Sequence, residues 1–170
     1  MIEDFNKLDI QKIIELTQEF EEEEEEKSLK KLLSVKHKIK IFKNIDTFEI
    51  KALVYNVKFV RYEKKEFIIN DKEESSYIYF ILEGECQVLK QNKKIGTLHA
   101  GDTFGEIGVI FREKRNADVI CSSDEAIMLK FKLDQENLDF NAQALAKMYK
   151  NLANQIKIKL EELNKAYIKR

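Results

Sequence analysis

Proline is absent from this sequence, and its five glycines all fall between Gly84 and Gly108. Tight-turn chemistry, which leans on these two residues, is therefore expected in one central stretch. Histidine occurs only at His37 and His99, so the clustered imidazoles that a metal-dependent enzyme on a β-roll needs are missing. Cysteine occurs only at Cys86 and Cys121, 35 positions apart and each in an apolar, strand-like setting. That spacing and setting point to buried free thiols rather than a disulfide or a metal pair. No run approaches the ~20 apolar residues of a membrane span, and Glu3 and Asp4 stand where a secretory leader would be basic. A cytoplasmic location without membrane attachment is expected. No nucleophile motif surrounds Ser122-Ser123 or either cysteine, so the chain reads as a non-enzyme.

What the sequence holds in quantity is charge. Charged residues make up 36% and hydrophobic residues 44% of its 170 positions, enough apolar material for one core beneath a densely charged surface. One domain with appended helices fits this length; a second full domain does not. The net charge of -1 argues against an overall basic nucleic-acid binder, but the charge is unevenly spread. Residues 1–30 hold eleven acids against four lysines, and residues 141–170 hold seven basic groups against Glu161 and Glu162. The two ends are electrically complementary, and they form either a weak contact within the chain that a bound ligand would alter or two independently solvated charged faces.

Apolar residues at Ile10, Ile13, Ile14, Phe20, Leu29, Leu32 and Leu33 recur at helical spacing and predict helix over 9–40. Glu21 to Glu26 lie inside this segment, either as a solvated face or as a frayed hinge between two helices. Asp46-Thr47-Phe48-Glu49 has the form of a capping box and predicts a short helix to about Asn56. From Val57 to Phe131 the apolar residues come in short runs separated by polar turns, as in an antiparallel roll. Gly84, between Tyr77–Leu82 and Glu85–Val88, predicts a hairpin with a left-handed turn residue. After Leu133 comes a stripe of Leu145, Tyr149, Leu152, Ile156, Leu160, Leu163 and Tyr167, with a mean step of about 3.7, which predicts one long amphipathic helix.

The segment richest in chemistry is Gly101-Asp102-Thr103-Phe104-Gly105-Glu106-Ile107-Gly108, followed by Arg115 nine residues after Glu106. Glycine allows a close backbone approach, amides at a helical turn favour an anion, and an arginine can return to the same place. Phe104-Gly105-Glu106-Ile107-Gly108 through Arg115-Asn116-Ala117 resembles the phosphate-binding cassette of cyclic-nucleotide-binding domains. Ile39 to Ile45 and Tyr77 to Gly84 extend the resemblance over about residues 39–165.

The resemblance implies an α+β fold: an antiparallel double-stranded β-helix, or jelly-roll, flanked by N-terminal helices and a long C-terminal helix. Its parts would be an acidic helical extension over 1–38, the roll over 39–133 and a lid or dimerisation helix over 134–170. It also implies a ligand, cAMP or cGMP, with no metal. Phe104, Gly105, Glu106, Ile107, Gly108, Arg115, Asn116 and Ala117 would form the site. In the family the cassette glutamate accepts from the ribose 2′-hydroxyl and the arginine pairs with the cyclic phosphate, which by position are Glu106 and Arg115. An ionised carboxylate only accepts, and guanidinium presents a fixed fork of donors, so the roles suit the chemistry. Gly105 and Ile107 would add backbone amides.

Departures from the family pattern are Lys114, Asn116 and Asp118 in the cassette and Lys65 and Asn70 at usual turn glycines. The expected function is a stand-alone sensor that binds a cyclic nucleotide and signals to an unidentified effector protein. The alternative is a scaffold or dimerisation module whose cassette no longer binds. The aliphatic stripe of the last helix predicts a homodimer through Leu145, Leu152, Ile156 and Leu163. Because the chain stops at Arg170 without a helix-turn-helix domain, direct DNA binding is not expected.

Overall fold

The computed structural model describes residues 7–133 and 142–168. The first helix, α1 (Lys7–Val35), runs unbroken through the six glutamates, so the hinge alternative does not hold. Ion pairs from Lys27 to Glu24 (3.5 Å) and Lys30 to Glu26 (2.8 Å) offset part of the like-charge repulsion. The helix stops five residues short of the expected 40, and two single-turn 3-10 segments, Lys36–Lys38 and Lys40–Phe42, carry the chain inward. They bury Ile39, Ile41 and Phe42.

The capping box at Asp46 forms as the sequence spells it. The Glu49 amide donates to Asp46 Oδ1 at 2.8 Å and the Asp46 amide donates to Glu49 Oε2 at 2.9 Å, which starts α2 (Thr47–Leu53). This helix ends three residues before the expected Asn56, because the β-branched Val54 already belongs to β1 (Val54–Glu63).

The remaining strands are β2 (Phe67–Ile69), β3 (Ile78–Glu83), β4 (Glu85–Lys90), β5 (Lys93–His99), β6 (Thr103–Phe104), β7 (Asp118–Cys121) and β8 (Glu125–Leu133). Between β6 and β7 lies a single short helix, α3 (Glu106–Phe111). The strands form two antiparallel four-stranded sheets, in the orders β1-β8-β3-β6 and β2-β7-β4-β5. One core lies between the sheets and includes Ile69, Tyr79, Ile81, Cys86, Phe104, Val119 and Met128. The other lies between the outer face of the first sheet and the helices, where Leu32, Ile41 and Phe42 meet Ile78, Phe80, Leu129 and Phe131. A strand covered on both faces reads as an uninterrupted apolar run, which is why Ile78 to Ile81 shows no alternation.

Two turn assignments differ from expectation. Gly84 is left-handed (φ 91°), but it carries the chain from one sheet to the other rather than closing a hairpin. A Cβ there would lie 2.4 Å from the Glu125 carbonyl oxygen, so the crossing leaves no room for a side chain. The hairpin is β4–β5, turned by Gln91 and Asn92 at φ 50° and 60°, the primed-turn conformation reached without glycine. Lys65 adopts φ 73°, as its place at a turn-glycine position requires, whereas at the next such turn the left-handed residue is Lys72 and not Asn70. Asn70 instead donates from Nδ2 to Glu73 Oε1 at 2.6 Å.

The last helix, α4 (Ala142–Ile168), packs through Ala144, Met148 and Leu152 into the helix-side core, with Leu145 partly buried against it. Leu145 and Leu152 of the expected dimer seam thus belong to the domain's own core, while Ile156 is 44% exposed and the Leu163 side chain lies outside the described residues. The expected contact between the acidic segment and the lysines of this helix is also redirected. Lys147 pairs with Glu49 of α2, and Glu25 accepts from the Asn56 amide of β1. No described helix is long and apolar enough to cross a membrane.

Candidate functional site

The eight residues singled out in the sequence, Phe104 to Gly108 and Arg115 to Ala117, all line one cavity of about 180 Å³ at the open end of the roll. Its apolar floor comes from Ile69, Val88, Leu98 and Val119, side chains that β2, β4, β5 and β7 present toward one another. The rim is the cassette. The cavity is smaller than the roughly 300–1,000 Å³ of pockets that enclose small ligands. Among the described residues none from α4 lines it, so the expected lid does not cover it.

Glu106 and Arg115 are both buried, at 7% and 8% exposure, which is rare for charged side chains unless partners hold them. Arg115 is fixed from two sides. Its main chain is clamped to the 70–75 loop, with Arg115 N donating to Glu73 O and Lys72 N donating to Arg115 O, each at 2.8 Å. Its guanidinium donates from Nη1 to Gly105 O and from Nη2 to Tyr77 O, each at 2.6 Å. Guanidinium carries five N–H donors, so two main-chain bonds orient the fork and leave others for an anion. Burial lowers the Arg115 pKa from its usual value, and the Tyr79 hydroxyl and the Glu106 and Glu73 carboxylates act in the opposite sense.

Gly105 meets two requirements at once. It sits at φ 78°, and a Cβ there would lie 2.8 Å from Arg115 Nη1, so any side chain would displace the guanidinium. Gly108 has a different reason. A Cβ at that position would stand 2.1 Å from Ser75 Oγ and 2.9 Å from Ser75 Cβ. Ser75 therefore packs against the cassette helix, where its hydroxyl has no hydrogen-bond partner.

The sequence reading missed a second set of residues that supports the cassette. Lys90 Nζ donates to Asp71 Oδ1 and Oδ2 at 2.9 and 3.0 Å and to the Asn116 carbonyl oxygen at 2.6 Å. Asp118 Oδ1 accepts from the Asp71 amide at 2.7 Å. The acid at Asp118, which departs from the family pattern, is thereby used to hold the loop that holds Lys90. Lys114 pairs with Glu74 at 3.4 Å on the outer surface. Lys90 lies 26 residues before Asn116, and only the pairing of β4 with β7 brings the two segments together, so no local signal announced it.

Chemically, the arrangement presents one buried acceptor, one buried cationic fork and a glycine-lined backbone over an apolar floor. It has the means to bind a small anion that also carries hydroxyls and an apolar body. Residues 59–137 match the family described as Cyclic nucleotide-binding domain. Among curated proteins the chain is similar to the cGMP-dependent protein kinase of Plasmodium berghei, 37% identical over 89 residues, covering 52% of this chain and 10% of that protein. It is likewise similar to the cGMP-dependent protein kinase of Toxoplasma gondii, 34% identical over 86 residues, covering 51% of this chain and 9% of that one. The chain thus spans about a tenth of the length of these relatives.

Among solved structures it resembles the regulatory domain of Toxoplasma gondii PKA with cAMP, at TM-score 0.61 and 18% identity over 76% of this chain and 51% of that one. It also resembles the regulatory subunit of a cAMP-independent protein kinase A from Trypanosoma brucei, at TM-score 0.60 and 18% identity over 81% of this chain and 50% of that one. These two likenesses establish the β-roll fold, which occurs in both a cAMP complex and a cAMP-independent protein. The match to the cyclic nucleotide-binding family over residues 59–137, just under half of the chain, contains every cavity residue from Phe104 to Gly108 and from Arg115 to Ala117.

Proposed function

We propose that this domain is a regulatory sensor that binds a cyclic nucleotide, cAMP or cGMP, in the cavity beneath the cassette and works by binding rather than by catalysis. The observation that carries the reading is the convergence of Glu106 and Arg115, both buried, on one cavity floored by apolar strands. In this reading Arg115 pairs with the cyclic phosphate, Glu106 accepts from the ribose 2′-hydroxyl, and the amides of Gly105 and Ile107 complete the cradle. Phe104, Gly108, Asn116 and Ala117 shape the wall. The base rests on Val88, Leu98 and Val119. Ligand entry widens the cavity and repositions α3, and Tyr149, whose hydroxyl donates to Ile110 O at 3.4 Å, passes the shift to α4. The output is a change in how the flanking helices meet a partner protein.

A thermal-shift panel of cAMP, cGMP and related nucleotides tests this directly. A ligand at ~100 times its dissociation constant adds ~2.7 kcal/mol of stability. The Arg115→Ala protein should fold and lose that shift, because the phosphate loses its charge partner at a cost of roughly 2–5 kcal/mol. Glu106→Gln should lose less, since an amide oxygen still accepts from a hydroxyl. If no nucleotide shifts the wild-type protein, the roll is a scaffold and the cassette is vestigial.

A further inference from the structure

The second half of α4 carries exposed apolar side chains. Among the described residues Leu152 is the last that α4 gives to the helix-side core, and the helix continues from Ala153 to Ile168 for about 24 Å at the usual rise of about 1.5 Å per residue. Along this length Ile156, Ile158 and Leu160 are 44%, 53% and 56% exposed, and they are interleaved with the exposed Lys157 and Lys165. Lys157, Lys159 and Lys165 outnumber Glu161 and Glu162 here, and Lys157 pairs with Glu161 at 3.7 Å, so this helix end is an apolar interaction surface with a small positive excess.

A matching surface lies elsewhere on the fold. Between α1 and β1 is a cleft of about 500 Å³, larger than the cavity under the cassette, lined by Glu21, Glu24, Glu25, Tyr55, Lys58 and Phe59. Tyr55 and Phe59 are 49% and 43% exposed. The cleft is built into the strand. β1 slips its register on β8 between Tyr55 and Lys58, Asn56 turns to φ 51°, and its freed amide donates to Glu25. Among the described residues only Glu24 and Glu26 of the glutamate run form ion pairs, both with lysines on α1 itself. The run therefore keeps an excess of negative charge beside two aromatic rings.

We propose that the protruding end of α4 docks into the α1–β1 cleft of a second copy of this chain. Lysines then meet glutamates, and isoleucine and leucine meet Tyr55 and Phe59, which is complementarity in both charge and polarity. Among the described residues none from α4 lines the cleft of its own chain, and the course of the helix is fixed where Asn151 Nδ2 donates to Ile41 O and Lys43 O, at 3.1 and 2.7 Å, and Lys147 holds Glu49. Two copies exchanging ends satisfy both clefts in a closed, two-fold pair. The attraction between exposed charges makes the pair salt-sensitive. The inference does not depend on nucleotide binding.

Charge exchange tests it. Light scattering at high micromolar concentration should report a dimer in low salt that dissociates as salt is raised. Glu21→Lys with Glu24→Lys in one chain, or Lys157→Glu with Lys165→Glu in another, should each weaken self-association about tenfold or more, a loss of about 1.4 kcal/mol. Circular dichroism and a cooperative melt should show both chains folded. Mixing these two chains, or combining all four substitutions in one chain, should restore the dimer. The proposal is overturned if the wild-type chain is monomeric throughout. It is equally overturned if the Glu21/Glu24 reversal leaves the dimer untouched, which would mean that α4 pairs with its own twin, or if the mixture and the fourfold chain both stay monomeric.

Discussion

Gly108 and Ser75 form a couple that neither residue reveals alone. Alanine is a better helix former than glycine by about 0.8–1.0 kcal/mol, so Gly108→Ala would stabilise α3 if propensity decided the outcome. The clash with Ser75 decides otherwise, because overpacking costs about 1–3 kcal/mol and here also pushes the cassette. Gly108→Ala should lower the melting temperature and weaken nucleotide binding, and adding Ser75→Gly should recover most of both. A melt and a binding isotherm on the single and double variants check this; additive losses would mean that the two residues act independently. The cysteines were legible as buried free thiols, and both are buried and unlinked. Their placement was not legible: Cys86 stands directly opposite Cys121 across β4 and β7, where burial, aided by its neighbour, pushes the Cys86 thiol up to about 12. That Glu106 and Arg115 meet at one cavity was legible because both lie within fourteen consecutive residues, Phe104 to Ala117, that resemble a known motif. The Tyr77 carbonyl that orients Arg115 was not, since any residue supplies a carbonyl.

At the scale of elements, signals carried within a few residues were readable, and those that needed a partner were not. The capping box of α2 was written in Asp46 and Glu49, but the role of Glu49 as the anchor of α4 required Lys147, 98 residues away. The Lys147 ammonium, first, and the Asp46 amide, second, hold the Glu49 carboxyl below its usual pKa. The folded chain therefore binds this proton less readily than the unfolded chain. The resulting stabilisation is present above the ordinary glutamate pKa and is lost as pH falls through the lowered value. Glu49→Gln should remove that acid-side loss, and melting temperatures from neutral to acid pH on both proteins measure it. The strand that carries Lys90 makes a second prediction. Its bonds to Asp71 and Asn116 are part-exposed and together worth about 0–1 kcal/mol, up to roughly fivefold in affinity. Lys90→Met should weaken cyclic nucleotide binding by that amount while barely moving the melting temperature, and Lys90→Arg should restore it. Equal loss of stability and affinity would make Lys90 a general structural residue. The turns explain the misread hairpin: scarce glycine suggested one turn-rich stretch, yet among the described residues seven non-glycine ones, from Asn44 to Arg112, take positive φ. Lysine, asparagine, glutamine and arginine accept that conformation at six exposed positions outside the strands, and Asn56 accepts it at the register slip inside β1.

For the whole molecule, the two sheets, the two cores and the four helices follow from a pattern that alternates where one face is solvated and runs on where both are covered. The charge asymmetry between the ends was equally plain in the sequence, but its direction was not. Complementary charge has long range and no built-in geometry, so it permits a contact within one chain or between two. Helix placement chooses between them: α4 is pinned to α2 and the 3-10 turn at Lys40–Phe42, and α1 lies along β1. The sequence by itself determined the capping box and the amphipathic last helix, because each rests on spacing within a single element, and the family resemblance of Phe104 to Ala117 implied the β-roll. Only the tertiary structure decided which carbonyls orient Arg115, how Lys90 holds Asn116, and which apolar side chains of α4 stay exposed. Those depend on which segments become neighbours, and contact between residues far apart in sequence is set by the joint packing of two cores rather than by any local pattern.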